Sequence, residues 1–100
     1  MAENVLQRDA SHYELSGTIS VDSVARYRKI LLEMISSSDA DEIEVELGKI
    51  KMQGSAVIAL LISILRESRY LNKRVVFLNC SEELRAIASA CGVAGILQLN

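Results

Sequence analysis

The sequence contains no proline and no Trp, and it has only two cysteines, one histidine and 4% aromatic residues. Because neither proline nor a low-complexity stretch interrupts the chain, we predict a single domain over residues 1–100. The longest apolar run, Ala56 to Ile62, is far shorter than the roughly 20 residues that cross a bilayer. No charged-then-apolar leader opens the chain. We therefore expect a cytoplasmic protein without direct membrane insertion.

The scarcity of reactive side chains disfavours several kinds of site. Cys80 and Cys91 have neither the spacing of metal ligands nor the density of a disulfide scaffold, and their apolar neighbours favour two buried thiols. His12 is the only histidine, so neither a zinc site nor a serine–histidine pair is indicated. A glycine-rich phosphate loop of the Walker type is also missing. We expect no metal, no nucleotide and no other cofactor.

The charges are balanced and spread along the chain. Eleven basic and thirteen acidic residues give a formal net charge of −2. The sequence therefore has no excess of basic residues that would bind the phosphates of a nucleic acid. Nucleic acid is not expected as a partner.

Hydrophobic periodicity predicts alternating strands and helices. Residues 42–47 alternate acids with aliphatic side chains, which is typical of a strand with one buried face. Ser81 before two glutamates indicates a helix N-cap, and Gly92 indicates a helix end. The predicted strands are 5–8, 12–16, 42–47 and 74–78; the predicted helices run from 21 to 38, from 55 to 70 and from 81 to Gly92, with Gly17 ending the second strand and 48–54 forming a connector.

This order of elements predicts the fold class. The first two strands are separated by a turn-prone group at 9–11 and are expected to pair as an antiparallel hairpin. The last two strands are each reached by crossing over a helix, which normally makes parallel neighbours. We predict an α/β sandwich with one mixed sheet of four to five strands, covered by three to four helices.

Ser55 is the first candidate functional residue. It follows Gly54 at the start of the second predicted helix, where unpaired backbone N–H groups and the helix dipole favour negative charge. The alternative is that Ser55 serves only as an N-cap after a flexible glycine. No base adjoins Ser55 in sequence, which weakens a role as a catalytic nucleophile.

The second helix carries more apolar surface than one sheet face requires. Ile58, Leu61, Ile62 and Leu65 form one stripe, and a second stripe lies beside it. Either this helix is flanked by other helices, or an exposed apolar patch near Ser55 meets a partner. The second stripe consists of Val57, Leu60 and Ile64, and the charged residues expected to form a solvated face at the far end of the helix are Arg66, Glu67, Arg69, Lys73 and Arg74.

Several of these segments resemble the STAS-domain family. Residues 45–50 (VELGKI) are similar to the family's strand motif of an aliphatic residue, an acid, leucine, a small residue, any residue and an aliphatic. Residues 15–19 (LSGTI) resemble its earlier glycine turn, and Ser55 falls where the family places its serine or threonine. The segments 66–73, 81–88 and 92–93 are most similar to MlaB-like members, which are free-standing and about this length.

The chain departs from the family pattern around the serine. Gly54 stands where the family usually has an acid, and Ala56 and Val57 stand where one or two glycines usually follow. Ser20 replaces the acid that often follows the early turn. These departures disfavour switching by a serine kinase.

The resemblance implies a non-catalytic regulatory subunit. It would bind the cytoplasmic ATPase of an MlaB-type phospholipid ABC transporter, support its assembly and activity, and lie at the inner membrane through that partner. The alternative is an anti-sigma-factor antagonist that meets an anti-sigma factor or serine kinase and is switched by phosphorylation of Ser55. A small enzyme using Ser55 or Cys80 is the third hypothesis, without a visible base. The expected partner contacts are Lys51, Met52, Gln53, Gly54, Ser55, Ala56, Val57 and Leu60.

Overall fold

Four β-strands form one mixed sheet, and their order in space is their order along the chain. The computed structural model describes residues 4–97, so the ends of the predicted domain, 1–3 and 98–100, lie outside the described residues. The first two strands pair antiparallel, and the second, third and fourth run parallel. The strands are β1 (Val5–Asp9), β2 (His12–Ile19), β3 (Glu42–Met52) and β4 (Arg74–Leu78).

Helices make both crossovers of the parallel strands, and the predicted fold class is confirmed. The first helix joins β2 to β3 and the second joins β3 to β4, as parallel neighbours require. No helix within residues 4–97 is long and apolar enough to cross a bilayer. The helices in this part of the chain are α1 (Val24–Ser37), α2 (Ala56–Tyr70), α3 (Glu82–Ala90) and α4 (Ala94–Leu97).

Alternating residues of β2, β3 and β4 bury one face of the sheet. Tyr13 and Leu15 on β2, Ile43 and Val45 on β3, and Phe77 on β4 are all fully buried. They join the buried side chains of α1 and α2 in one hydrophobic core. Burying each side chain of this size contributes about 1.5 to 3 kcal/mol, so the helices are held to this face mainly by apolar contact.

Two predicted strand ends are wrong. β2 continues through Gly17 to Ile19, and β3 continues through Gly48 to Met52, because these extensions pair with each other in parallel register. Between the Glu14–Glu46 and Ser16–Lys49 pairs, β3 contains one residue more than β2, which is the count of a β-bulge. The glycines and lysines of the extensions interrupt the apolar alternation, which is why the pattern stopped early.

Gly17 is required where β2 passes α1. Its φ of +87° lies in the region that favours glycine, and an added Cβ would lie 2.7 Å from the hydroxyl oxygen of Tyr27. That hydroxyl donates a hydrogen bond to the carbonyl of Ser16 at 2.5 Å. Burial raises the pKa of Tyr27 above its ordinary value, so the hydroxyl remains a protonated donor at neutral pH. A small residue and a buried phenol thus fix α1 against β2.

The ends of α3 confirm two sequence signals and correct a third. The hydroxyl of Ser81 accepts the Leu84 N–H at 3.0 Å, as expected of an N-cap. Gly92 has a φ of +75° and ends the helix. Cys80 is buried as predicted, but the prediction of a buried Cys91 is wrong, because this residue caps the last turn on the solvent side.

The contact between Gly17 and Tyr27 predicts a non-additive pair of substitutions. Gly17→Ala should lower the free energy of unfolding by about 1 to 3 kcal/mol, through a strained positive φ and a clash with the phenol oxygen. In a Tyr27→Phe background the 2.7 Å contact is removed, while the strain and a 3.0 Å contact with the Asn4 side chain remain, so the same substitution should cost less. Urea denaturation of the four proteins measures this coupling. Equal costs in both backgrounds would show that the contact does not impose the glycine.

Candidate functional site

Two loops meet at the carboxyl ends of the central strands. Ile19 and Met52, the last residues of β2 and β3, are register partners. The N–H of Gln53 then donates to the carbonyl of Ile19 at 3.0 Å. The loops 20–23 and 53–55 therefore leave the sheet side by side and lead into α1 and α2. We call these two loops, with Met52 and Ala56 beside them, the two-loop surface.

Ser55 is the exposed N-cap residue of α2. Its carbonyl accepts the Ile58 N–H at 3.0 Å, but its side chain makes no capping hydrogen bond. Within the described residues its hydroxyl is free to meet another molecule. A purely structural cap would use that oxygen to satisfy a backbone N–H of the first turn, as Ser81 does for α3. The Ser55 side chain therefore does not cap α2 in the way that Ser81 caps α3.

The expected partner contacts divide into exposed and buried groups. Lys51, Gln53, Gly54 and Ser55 are exposed, and Met52 and Ala56 are partly buried. The expectation that Val57 and Leu60 are accessible is wrong, since their relative exposures are 0% and 1%. The physical reason is that α1 packs beside α2 and covers the second apolar stripe. Of the two explanations for that stripe, a helix flanked by a neighbouring helix is correct.

Val21 is an exposed apolar residue of this surface that the sequence pattern did not single out. Its relative exposure is 82%. The predicted helix began at Val21, whereas α1 begins at Val24. The Ser23 hydroxyl accepts the Ser20 N–H at 3.0 Å and donates to the Thr18 carbonyl at 2.9 Å, which fixes the loop around Val21. Val21 lies three residues before Val24, which fits the spacing of the apolar stripe, so the pattern gave no signal that Val21 is exposed.

The one charged side chain of the two-loop surface is the exposed Asp22, and basic residues of β3 border the surface. Lys49 on β3 lies 3.5 Å from the carboxylate of Glu14 on β2, and Arg8 lies 3.1 Å from the same carboxylate. Partial burial raises the pKa of Glu14, but the Arg8 hydrogen bond and the charges of Arg8 and Lys49 outweigh it and leave this pKa below its ordinary value. Glu14 thus stays ionised, and its one negative charge is shared between Arg8 and Lys49. Lys51 remains exposed, with no ion pair among the residues that the structure describes.

Metal chemistry has no support at this surface. No group of three His, Cys, Asp or Glu side chains between residues 4 and 97 is placed to hold a metal ion. His12, at the other end of β2, lies 3.9 Å from Glu44 through Nδ1, which is a surface pair. The arrangement offers the Ser55 hydroxyl, the Gln53 amide, the Asp22 carboxylate and a few apolar side chains, with Lys51 beside them, which are the components of a protein contact.

Comparison with known proteins decides the family. The family described as "Mlab, STAS domain" matches residues 4–98. The chain belongs to the STAS-domain family. A solved structure, "Structure of the Anti-Sigma Factor Antagonist SpoIIAA in its Unphosphorylated Form", is similar with a TM-score of 0.71, covering 91% of this chain and 81% of that chain at 17% identity. This likeness shows a shared fold. Among curated proteins, no sequence matches significantly.

The backbone of this STAS domain explains its departure at Gly54. The φ of Gly54 is +69°, and nothing lies within 4 Å of an added Cβ. The glycine is therefore required by the backbone conformation and not by lack of space. An acidic side chain at this position, as the family usually has, would be accommodated sterically but strained at this φ.

Proposed function

We propose that this STAS domain is a non-catalytic regulatory subunit that binds the cytoplasmic ATPase of an MlaB-type phospholipid ABC transporter. In this role it supports assembly and activity of the transporter, and it lies at the inner membrane only through the ATPase. The observation that carries the proposal is the family match described as "Mlab, STAS domain", joined to an exposed Ser55 hydroxyl without a capping bond.

The chemistry of the two-loop surface supports a protein partner. Val21, Met52 and Ala56 supply an apolar centre, and Gln53 and Ser55 supply hydrogen-bonding groups around it. Protein interfaces commonly combine a small apolar core with a polar rim. Both loops are anchored to the ends of paired strands, so little ordering is needed on binding. A contact centred on Ser55 would fit this surface.

The alternative is an anti-sigma-factor antagonist that is switched by phosphorylation of Ser55. Its support is the exposed hydroxyl and the fold shared with the SpoIIAA structure. Gly54 in place of the acid and Ala56 in place of a glycine disfavour a kinase that reads the family motif. Phosphorylation of Ser55 by a serine kinase, together with failure to retain an ATPase, would favour this alternative.

Substitutions of Ser55 should weaken retention of the ATPase in the order wild type, Ser55→Ala, Ser55→Asp. The alanine loses a hydrogen bond worth roughly 0.5 to 1.5 kcal/mol across the interface. The aspartate places a charge where a neutral hydroxyl packs, which should cost roughly 3 kcal/mol or more. Co-purification with the ATPase measures retention.

Thermal melting provides the control for the Ser55 series. Because Ser55 makes no capping bond, Ser55→Ala should leave the melting temperature almost unchanged, and Ser55→Asp should leave it unchanged or raise it. The matched control is Ser89→Asp, which adds the same charge at an exposed position of α3 and should retain the ATPase. If all three Ser55 proteins retain the ATPase equally while folded, the contact lies elsewhere.

Val21→Ser should also weaken binding of the ATPase without destabilising the domain. An exposed valine contributes little to folding, whereas its burial in an interface contributes about 1.5 to 3 kcal/mol. Leu6→Ser is the matched control, since Leu6 is an exposed apolar residue on β1. Calorimetric titration of both variants against the ATPase compares their affinities. A larger loss for the Leu6 variant would move the interface to the β1 side of the sheet.

A further inference from the structure

The far end of α2 is strongly positive although the chain is acidic. Residues 66–74 contain four basic residues and one acidic residue, a net charge of +3, while the whole chain carries −2. The single acid, Glu67, lies 3.6 Å from Arg28 on α1 and so neutralises a cation outside the segment. Arg66, Arg69 and Arg74 are exposed, as a solvated face would be, and Lys73 is partly buried. Together they give this end of the helix an excess of positive charge.

Of the four basic residues in 66–74, Arg66 and Arg69 have no partner within residues 4–97, whereas the other two do. Arg74 lies 3.6 Å from Glu42, and Lys73 donates through Nζ to two backbone carbonyls of the α1–β3 connection at 2.6 and 2.8 Å. Arg66 and Arg69 make neither an ion pair nor a side-chain hydrogen bond in this part of the chain, and both are exposed. Their guanidinium groups are therefore available to carboxylates.

Both arginines border a divided groove that is lined by apolar side chains together with basic ones. One open cavity of about 500 Å³ lies between α2, the start of β4 and α4, and another of about 480 Å³ lies along α2 and α4. Leu65, Arg69 and Ile96 line both cavities, so that Arg69 stands at their junction. At the rim, Tyr70 and Ile96 are the exposed large apolar side chains, with relative exposures of 78% and 59%. We call this region the α2–α4 groove.

We propose that the α2–α4 groove binds an acidic segment of a partner protein in which a carboxylate lies between two apolar side chains. The carboxylate would pair with Arg69, Arg66 would add a second charge contact, and one apolar side chain would enter each cavity. Charge complementarity and the position of Arg69 between the cavities carry this assignment. A flat lipid surface would leave both cavities unfilled, whereas an extended peptide directs alternate side chains to one face.

This groove is independent of the two-loop surface. α2 has 15 residues, which at 1.5 Å per residue separate its two ends by roughly 22 Å. Ser55 precedes one end, and Arg66 and Arg69 lie toward the other. Both surfaces can therefore be occupied at once, and failure of either proposal leaves the other intact.

Nuclear magnetic resonance titration of the full chain tests the proposal. The probe is a seven-residue peptide with Leu-Ser-Glu-Ser-Leu at its centre and a serine at each end, so that both leucines and the glutamate face the groove; Leu-Ser-Gln-Ser-Leu and Ser-Ser-Glu-Ser-Ser peptides are the matched controls. The first peptide should give saturable shifts in the second half of α2, the start of β4 and α4. Its affinity should be at least about tenfold higher than that of either control, a difference of about 1.4 kcal/mol.

Charge reversal provides the second arm. Arg66→Glu combined with Arg69→Glu should abolish the shifts, whereas Arg85→Glu, at an exposed position of α3, should leave them unchanged. Both proteins are checked by thermal melting. Equal response to the three peptides, survival of the shifts in the double variant, or no saturable shift up to about 5 mM peptide would overturn the proposal. Binding to anionic vesicles without binding to the peptide would also overturn it, in favour of a lipid surface.

Discussion

The parallel pairing of β2 with β3 over their full lengths is the constraint on which the rest of the structure depends. The pairing begins at His12 and Glu44 and ends at Ile19 and Met52. Had β3 ended at Leu47, the chain would have left the sheet five residues earlier, about 17 Å short of its present end. The extension carries Gln53 to Ile19 and thereby brings the loops before α1 and α2 together.

Packing of α1 secures this pairing from the buried face. Tyr27 reaches across to the backbone of β2 at Ser16, and the absence of a side chain at Gly17 leaves room for its hydroxyl. The same helix covers Val57 and Leu60 of α2. The apolar side chains nearest Ser55 are thus buried in the core, and polar groups and Val21 remain at the surface. The affinity of a contact with so small an area depends on shape complementarity and preorganisation more than on buried area.

Short sequence patterns predicted the strands and helix ends that depend only on neighbouring residues. The acid–aliphatic alternation of residues 42–47 identified the strand, Ser81 identified the start of α3, and Gly92 identified its end. The extension of β3 could not be predicted, because Gly48, Lys49 and Lys51 break the alternation and the partner strand is distant in sequence. Pairing between strands supplied the register that the local pattern lacked.

The sequence located the candidate site in the chain, but it did not show which of the neighbouring side chains are exposed. Ser55 and its preceding loop followed from the helix start and the family motif, and both are exposed. Helical periodicity marks apolar stripes but does not tell whether a neighbouring helix covers them, so Val57 and Leu60 were assigned to the wrong environment. Val21 was missed because it adjoins an apolar helix pattern. Cys91 was predicted to be buried because it continues the apolar stripe of α3, but that stripe ends at the helix terminus, where Cys91 is exposed.

Hydrogen–deuterium exchange of the domain, alone and bound to the transporter ATPase, tests the central claim most directly. We expect slower exchange on binding at the amides of loops 20–23 and 53–55 and in the first turn of α2. Exchange in the β1–β2 turn should stay the same, because that turn lies at the opposite end of β2. Protection confined to the β1–β2 turn or to the open face of the sheet, with both loops unchanged, would contradict a contact centred on Ser55.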